Sequence, residues 1–120
     1  MVTRPWGSRR ENGSPRDKVQ DKYYKSPLWR IQRKAFLREE PACRVCRIYD
    51  GIPRVAKVLD HFRPRRLWPE LEDDQGNWCP MCDAHHAKKS GMETRCKSKE
   101  DWEKVVLPKF RLCDKQKEKI

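Results

Sequence analysis

Apolar residues are scarce in this chain. They make up 36% of its 120 residues, where about 45 to 50% is usual for a globular domain. A single small domain of this length buries only about 60 to 70% of its unfolded surface, so hydrophobic burial alone leaves a thin core and a staple is expected. Long apolar runs are missing too: no stretch approaches the roughly 20 residues needed to cross a bilayer. Met1–Arg10 has no apolar signal-peptide core, so the expectation is a cytoplasmic protein with no membrane partner. No internal repeat is visible. Acids are outnumbered, 18 against 29 Lys and Arg, leaving a net charge of +11. That excess favours a polyanionic partner, because each phosphate neutralised releases condensed counterions. Histidine is the scarcest chemistry-bearing residue, with three in all, and they fall together as His61, His85 and His86. Cysteine is not scarce. Six in a reducing compartment point to metal thiolates instead of three disulfides.

Along the chain, residues 1–22 combine Pro5, Gly7, Gly13 and Pro15 with many charges and read as a flexible basic arm. Ser26-Pro27 starts a helix over Pro27 to Glu39, with serine as cap and proline in the first turn. Leu28, Ile31 and Ala35 form its apolar stripe, with Phe36 adjoining. Arg30, Arg33, Lys34 and Arg38 lie on the other face, and Pro41 stops the helix. Cys43-x-x-Cys46 follows as a short loop. The run Val55 to Phe62 is rich enough in β-branched residues to be a strand ending at Asp60-His61. Residues 63–76 read as a loop, Asn77 to Met81 as a second strand, and Asp83 to Ser90 as a helix ended by Gly91. Ser98-x-x-Asp101 resembles a capping box ahead of a last helix limited by Pro108. Residues 23–113 form the folded domain on this reading, and 114–120 a disordered basic tail. The fold class is α+β.

Zinc needs four tetrahedral ligands, usually supplied as two pairs, because a two-residue spacer lets both side chains converge on one ion. Cys43 and Cys46 make the first pair. Spacing allows two choices for the second, Cys82 with His85 or Cys79 with Cys82. Cys96 and Cys113 are then small buried hydrophobes.

Asp60-His61, Asn77 and His86, set beside a knuckle whose second half is Cys82-x-x-His85-His86-x-x-Lys89-Ser90, resemble the HNH endonucleases of tailed bacteriophages, in a terminase-associated subfamily. Tyr24, Trp29-Arg30, Phe36-Leu37, Pro41 and Cys43-x-x-Cys46 stand in the order of that subfamily, and the likeness runs from Tyr23 to about Thr94. It implies a ββα-metal motif, a β-hairpin and helix around one catalytic ion, braced by structural zinc and flanked by helices. It further implies His61 as general base, Asp60 and His86 as ligands of a catalytic divalent ion (Mg or Mn, with Ni also allowed), and Asn77 as the residue that holds His61 in place. In this register Cys43, Cys46, Cys82 and His85 bind zinc, His85 standing where the family usually has a second cysteine.

The activity implied is hydrolysis of phosphodiester bonds in double-stranded DNA by a monomer, as nicks or double-strand breaks. Phage genome packaging beside terminase subunits, in the host cytoplasm, is the implied setting. Arg63, Arg65 and Arg66, directly after the base, and Lys89, at the end of the helix, are candidate contacts to the DNA backbone. Weak sequence specificity is expected, because no base-reading recognition helix is evident. A zinc-stabilised DNA-binding module without catalysis is the alternative; the presence of Asp60, His61, Asn77 and His86 together favours the enzyme.

Overall fold

The computed structural model describes residues 22–115, so all of the expected arm except Lys22, which is helical, and most of the expected tail lie outside the described residues. The chain divides between Ala35 and Phe36 into two compact units.

Helix α1 runs Pro27–Glu39, the span that its start and stop residues predict. Ser26 Oγ accepts the Trp29 N–H at 3.2 Å, and Pro27 occupies the first turn, where its missing N–H costs nothing. The buried stripe, however, is rotated from the expected one. Leu28 and Ile31 are exposed and Trp29 is buried, its ring against Tyr23 and Tyr24 at centroid distances of 5.4 and 5.5 Å. Aromatic side chains carry the largest apolar areas on a helix surface, so Trp29 sets the orientation that the aliphatic periodicity alone misassigns.

In the second unit, a knuckle precedes the sheet. The N–H of Cys43 donates to the Arg54 carbonyl at 2.7 Å and that of Ala56 to the Pro41 carbonyl at 2.7 Å, with Ala42 bridged to Val55. Between these bridged segments Cys46–Asp50 forms a π-helical turn, beginning at the last residue of the expected Cys43–Cys46 loop and closed by Gly51 at φ 69°. Only glycine adopts that left-handed conformation without a steric cost.

Strand β1, Val58–His61, pairs antiparallel with β2, Trp78–Met81, placing Asp60 opposite Cys79 and His61 opposite Trp78. Pro80 is tolerated within β2 because both strands of a two-stranded sheet are edges. Helix α2, Asp83–Glu93, follows immediately, with Cys82 at its N-cap. It passes through Gly91, the expected end: Gly91 has no positive φ, and Glu93 is kept in the helix by a side-chain bond back to Lys89. Helix α3, Lys99–Val105, starts where Ser98 Oγ accepts the Asp101 N–H at 3.1 Å. The Asp101 carboxylate reaches back to the Lys97 N–H at 3.0 Å, one residue beyond an ordinary capping box. Pro108 lies in the first turn of α4, Leu107–Phe110.

Phe62, Trp68, Met81, Trp102, Val106, Leu107 and Phe110 build the core with Cys43, Cys46, Cys79, Cys96 and Cys113. Trp102 stands edge-on to Phe62 at 5.5 Å and to Trp68 at 5.2 Å. The core is small and strongly aromatic, as the low apolar fraction requires. Asp114, counted with the expected tail, is buried.

Candidate functional site

The knuckle and the start of α2 bring four ligand atoms together: Cys43, Cys46 and Cys82 Sγ and a His85 ring nitrogen all lie within 4.8 Å of one another. An ion held tetrahedrally at about 2.3 Å from sulfur and about 2.0 Å from nitrogen places sulfurs about 3.8 Å apart and sulfur about 3.5 Å from nitrogen. The Cys46 and Cys82 sulfurs are 3.8 Å apart. His85 Nδ1 lies 3.3 Å from each of them and 3.9 Å from Cys43 Sγ. The three-cysteine, one-histidine donor set is therefore compatible with a structural zinc site, and these separations are those of ligands around one centre. The Cys46 N–H donates to Cys43 Sγ at 3.4 Å and Arg54 Nη1 to Cys46 Sγ at 3.6 Å, so donors supplied by the fold surround the sulfurs. Cys82, at the N-terminus of α2, has its thiolate where the helix dipole favours negative charge.

Cys79 lies outside this group. It is buried in β2 in contact with the Cys113 thiol, and that contact together with burial pushes its own thiol well above the usual range. Cys82 and His85 occupy the second half of the cluster, and of the two pairings that spacing allows, the geometry selects this one.

On β1, Asp60 and His61 turn toward different elements, as adjacent strand residues must. His61 is 2% exposed, and its Nε2 lies 2.9 Å from the Glu72 carbonyl oxygen. A carbonyl can only accept, so Nε2 carries the proton and Nδ1 the basic lone pair. The Trp78 indole N–H donates to the same carbonyl at 3.1 Å. Burial lowers the His61 pKa, opposed by the Glu72 carbonyl and the Asp60 charge, which keeps the imidazole neutral at neutral pH. Asn77 clamps the chain just after it: Oδ1 accepts the Arg63 N–H at 2.9 Å, Nδ2 donates to the Arg63 carbonyl at 3.0 Å, and the Phe62 N–H donates to the Asn77 carbonyl at 2.7 Å.

Asp60 faces α2. Its Oδ1 lies 3.6 Å from His86 Nε2, and its Oδ2 accepts from Lys89 Nζ at 2.7 Å. A hard carboxylate oxygen and an imidazole nitrogen facing each other at this distance suit a divalent ion bound between them, with small adjustment.

The four candidate DNA contacts each have partners within the protein. Lys89 has no exposed surface and bonds Asp60 and Glu93, the latter at 2.5 Å. Burial pulls its ammonium down, but the two carboxylates outweigh burial and hold it above the usual lysine range. Arg63 pairs with Asp114 at 2.7 Å and Glu103 at 3.3 Å, its guanidinium 5.0 and 5.2 Å from the Trp68 and Trp102 ring centres. Arg65 makes a bidentate contact to Glu72 at 3.2 and 2.9 Å. Arg66 donates to the Cys96 and Glu93 carbonyls at 2.9 and 3.0 Å. These groups hold the loop and the C-terminal helices to the core, where a thin apolar interior leaves structural work to polar contacts. Nothing local to Arg63 foretold its partner 51 positions on. For Lys89, by contrast, the spacing to Glu93 was a visible signal.

No protein-family model matches the chain, and no curated protein matches it. Among solved structures, the crystal structure of the deep-sea thermophilic bacteriophage GVE2 HNH endonuclease with manganese ion matches at a TM-score of 0.58 and 21% identity, over 78% of this chain and 97% of that one. The fold is therefore HNH-like: a two-stranded sheet and helix with flanking helices, and a cysteine–histidine cluster beside them.

Proposed function

From this HNH-like fold, we propose that the chain is a divalent-ion-dependent endonuclease hydrolysing phosphodiester bonds of double-stranded DNA. One observation carries the reading: the Asp60 carboxylate and His86 imidazole oppose each other at 3.6 Å, next along β1 to a histidine whose Nε2 proton is committed to a carbonyl. In this reading His61 Nδ1 takes a proton from water as the water oxygen bonds to phosphorus, and the bond from phosphorus to the 3′ oxygen breaks. Asp60 and His86 would hold the ion, which would supply Lewis acidity to the phosphate. The manganese named for the structural neighbour supports Mn or Mg in that role, with Ni a further choice. Asn77 orders the loop after His61. Cys43, Cys46, Cys82 and His85 hold zinc, so His85 and His86 on one helix tie the structural ion to the reactive one. Residues 23–113, with Asp114, constitute the catalytic domain. A part in genome packaging beside terminase subunits rests on the family resemblance alone.

The test is supercoiled plasmid incubated with the protein and magnesium, manganese or nickel, beside a His61→Ala variant. Ion-dependent nicking or linearisation by the unmodified protein, lost in the variant, is the expected result. Equal cleavage by both refutes the mechanism, and DNA binding without cleavage under every ion refutes the enzyme.

A further inference from the structure

Lys89, a candidate DNA contact by sequence, sits buried in the middle of a line of charge. On α2 the residues His86, Lys89 and Glu93 recur at spacings of three and four, so one helix face presents all three. Asp60 on β1 meets this face with its two oxygens used differently: Oδ2 takes the Lys89 ammonium at 2.7 Å and Oδ1 looks toward His86 Nε2 at 3.6 Å. The ammonium is itself fixed on its other side by Glu93 at 2.5 Å. Glu93 is fixed in turn by the Trp102 indole N–H at 2.9 Å. The rings of Phe62 and Trp102 lie 5.3 and 5.8 Å from Nζ and close the site to water, so Lys89 has no exposed surface with which to meet a phosphate.

From this arrangement we infer that Lys89 is a positioning residue for the divalent-ion site, holding Asp60 Oδ2 so that Oδ1 alone is directed at the ion shared with His86. The inference rests on the nuclease reading for the identity of the site, but on geometry alone for what Lys89 does. A carboxylate free to rotate about its terminal bond offers either oxygen, or both, to a cation; one tied at Oδ2 offers a single oxygen in one orientation. The chain Trp102–Glu93–Lys89–Asp60 passes the rigidity of the aromatic core to that oxygen. Partners of this kind behind a metal ligand are typically worth about 10- to 100-fold in metal affinity or activity.

Replacing Lys89 alone strands two carboxylates of only 12 and 13% exposure, so the informative variant is the pair Lys89→Met with Glu93→Gln, which removes one charge of each sign. Mn(II) affinity is measured without DNA by electron paramagnetic resonance, on zinc-loaded protein whose zinc content and thermal unfolding are recorded alongside. Asp60→Asn defines the Asp60-dependent binding. The expected result is a folded, zinc-replete double variant whose Asp60-dependent Mn(II) affinity falls by about 10- to 100-fold, with an unchanged salt dependence of DNA binding. Unchanged Mn(II) affinity in that variant overturns the inference, as does the absence of any Asp60-dependent Mn(II) binding in the unmodified protein. A salt slope reduced by about one returns Lys89 to the DNA backbone and overturns it too. An unmodified protein that binds Mn(II) through Asp60 but never cuts plasmid fails the nuclease reading while leaving the role of Lys89 intact. Loss of folding in the double variant also overturns it, because the pair would then be holding the core and not the carboxylate.

Discussion

Asn77→Ala should separate the support of the loop after His61 from the chemistry proposed for it. The Asn77 side chain makes two bonds to one peptide neighbourhood, accepting the Arg63 N–H at 2.9 Å and donating to the Arg63 carbonyl at 3.0 Å. Asn77 is 1% exposed, so water cannot readily take its place. Truncation leaves a part-buried donor and a part-buried acceptor unsatisfied, at about 1 to 3 kcal/mol each, for a loss of about 2 to 6 kcal/mol before relaxation. The Phe62 N–H keeps its bond to the Asn77 carbonyl, so β1 and β2 stay in register and the loss is confined to the loop. Asn77→Asp divides the effect: the carboxylate still accepts from the Arg63 N–H but now faces the Arg63 carbonyl with an acceptor. It should therefore destabilise as well, although it is nearly isosteric. Urea unfolding of the zinc-loaded protein measures both variants, and plasmid cleavage at saturating DNA measures the consequence for His61. A lower rate with unchanged DNA affinity is expected. An Asn77→Ala protein within about 0.5 kcal/mol of the unmodified one, the range of an ordinary surface substitution, would refute the clamp.

Two further outcomes follow from the geometry. Zinc content measured on purified variants should fall from one ion per chain in Cys43→Ala, Cys82→Ala and His85→Ala and be retained in Cys79→Ala, since Cys79 lies outside the four-ligand group; retention by His85→Ala with loss by Cys79→Ala would refute the ligand set. Arg63→Ala should lower stability by about 1 to 3 kcal/mol, because it removes a charged 2.7 Å contact to the buried Asp114 carboxylate, and should not alter the salt dependence of DNA binding; a stable variant with a shallower salt slope would place Arg63 on DNA.

Much of the framework can be read from local spacing. Ser26-Pro27 and Pro41 bracket α1, and Ser98 starts α3, because capping and proline effects act within one turn of the residue that causes them. The turn residues around Asp60 and Asn77 likewise separate two short strands, which the structure pairs as β1 and β2. Burial was less legible. Trp29 overrode the aliphatic stripe of α1, and Glu93 carried α2 past Gly91 by bonding back to Lys89. Each of these outcomes depends on a side chain finding a partner, a condition that periodicity does not encode.

The same division runs through the site. By itself the sequence determined the kinds of ligand and their short-range pairing, Cys43 with Cys46 and Cys82 with His85 or Cys79, since two side chains three residues apart converge on an ion through local geometry. It also placed Asp60, His61, Asn77 and His86 in the order on which the proposed chemistry rests. Only the tertiary structure decided between His85 and Cys79, by turning the first toward the cysteine cluster and the second toward Cys113. Only it set the buried Lys89 against Asp60 and the half-buried Arg63 against Asp114. Their partners, Asp60 and Asp114, lie 29 and 51 positions away in the chain. A cation leaves water only where packing delivers an opposite charge to meet it, and that meeting is a property of the assembled core.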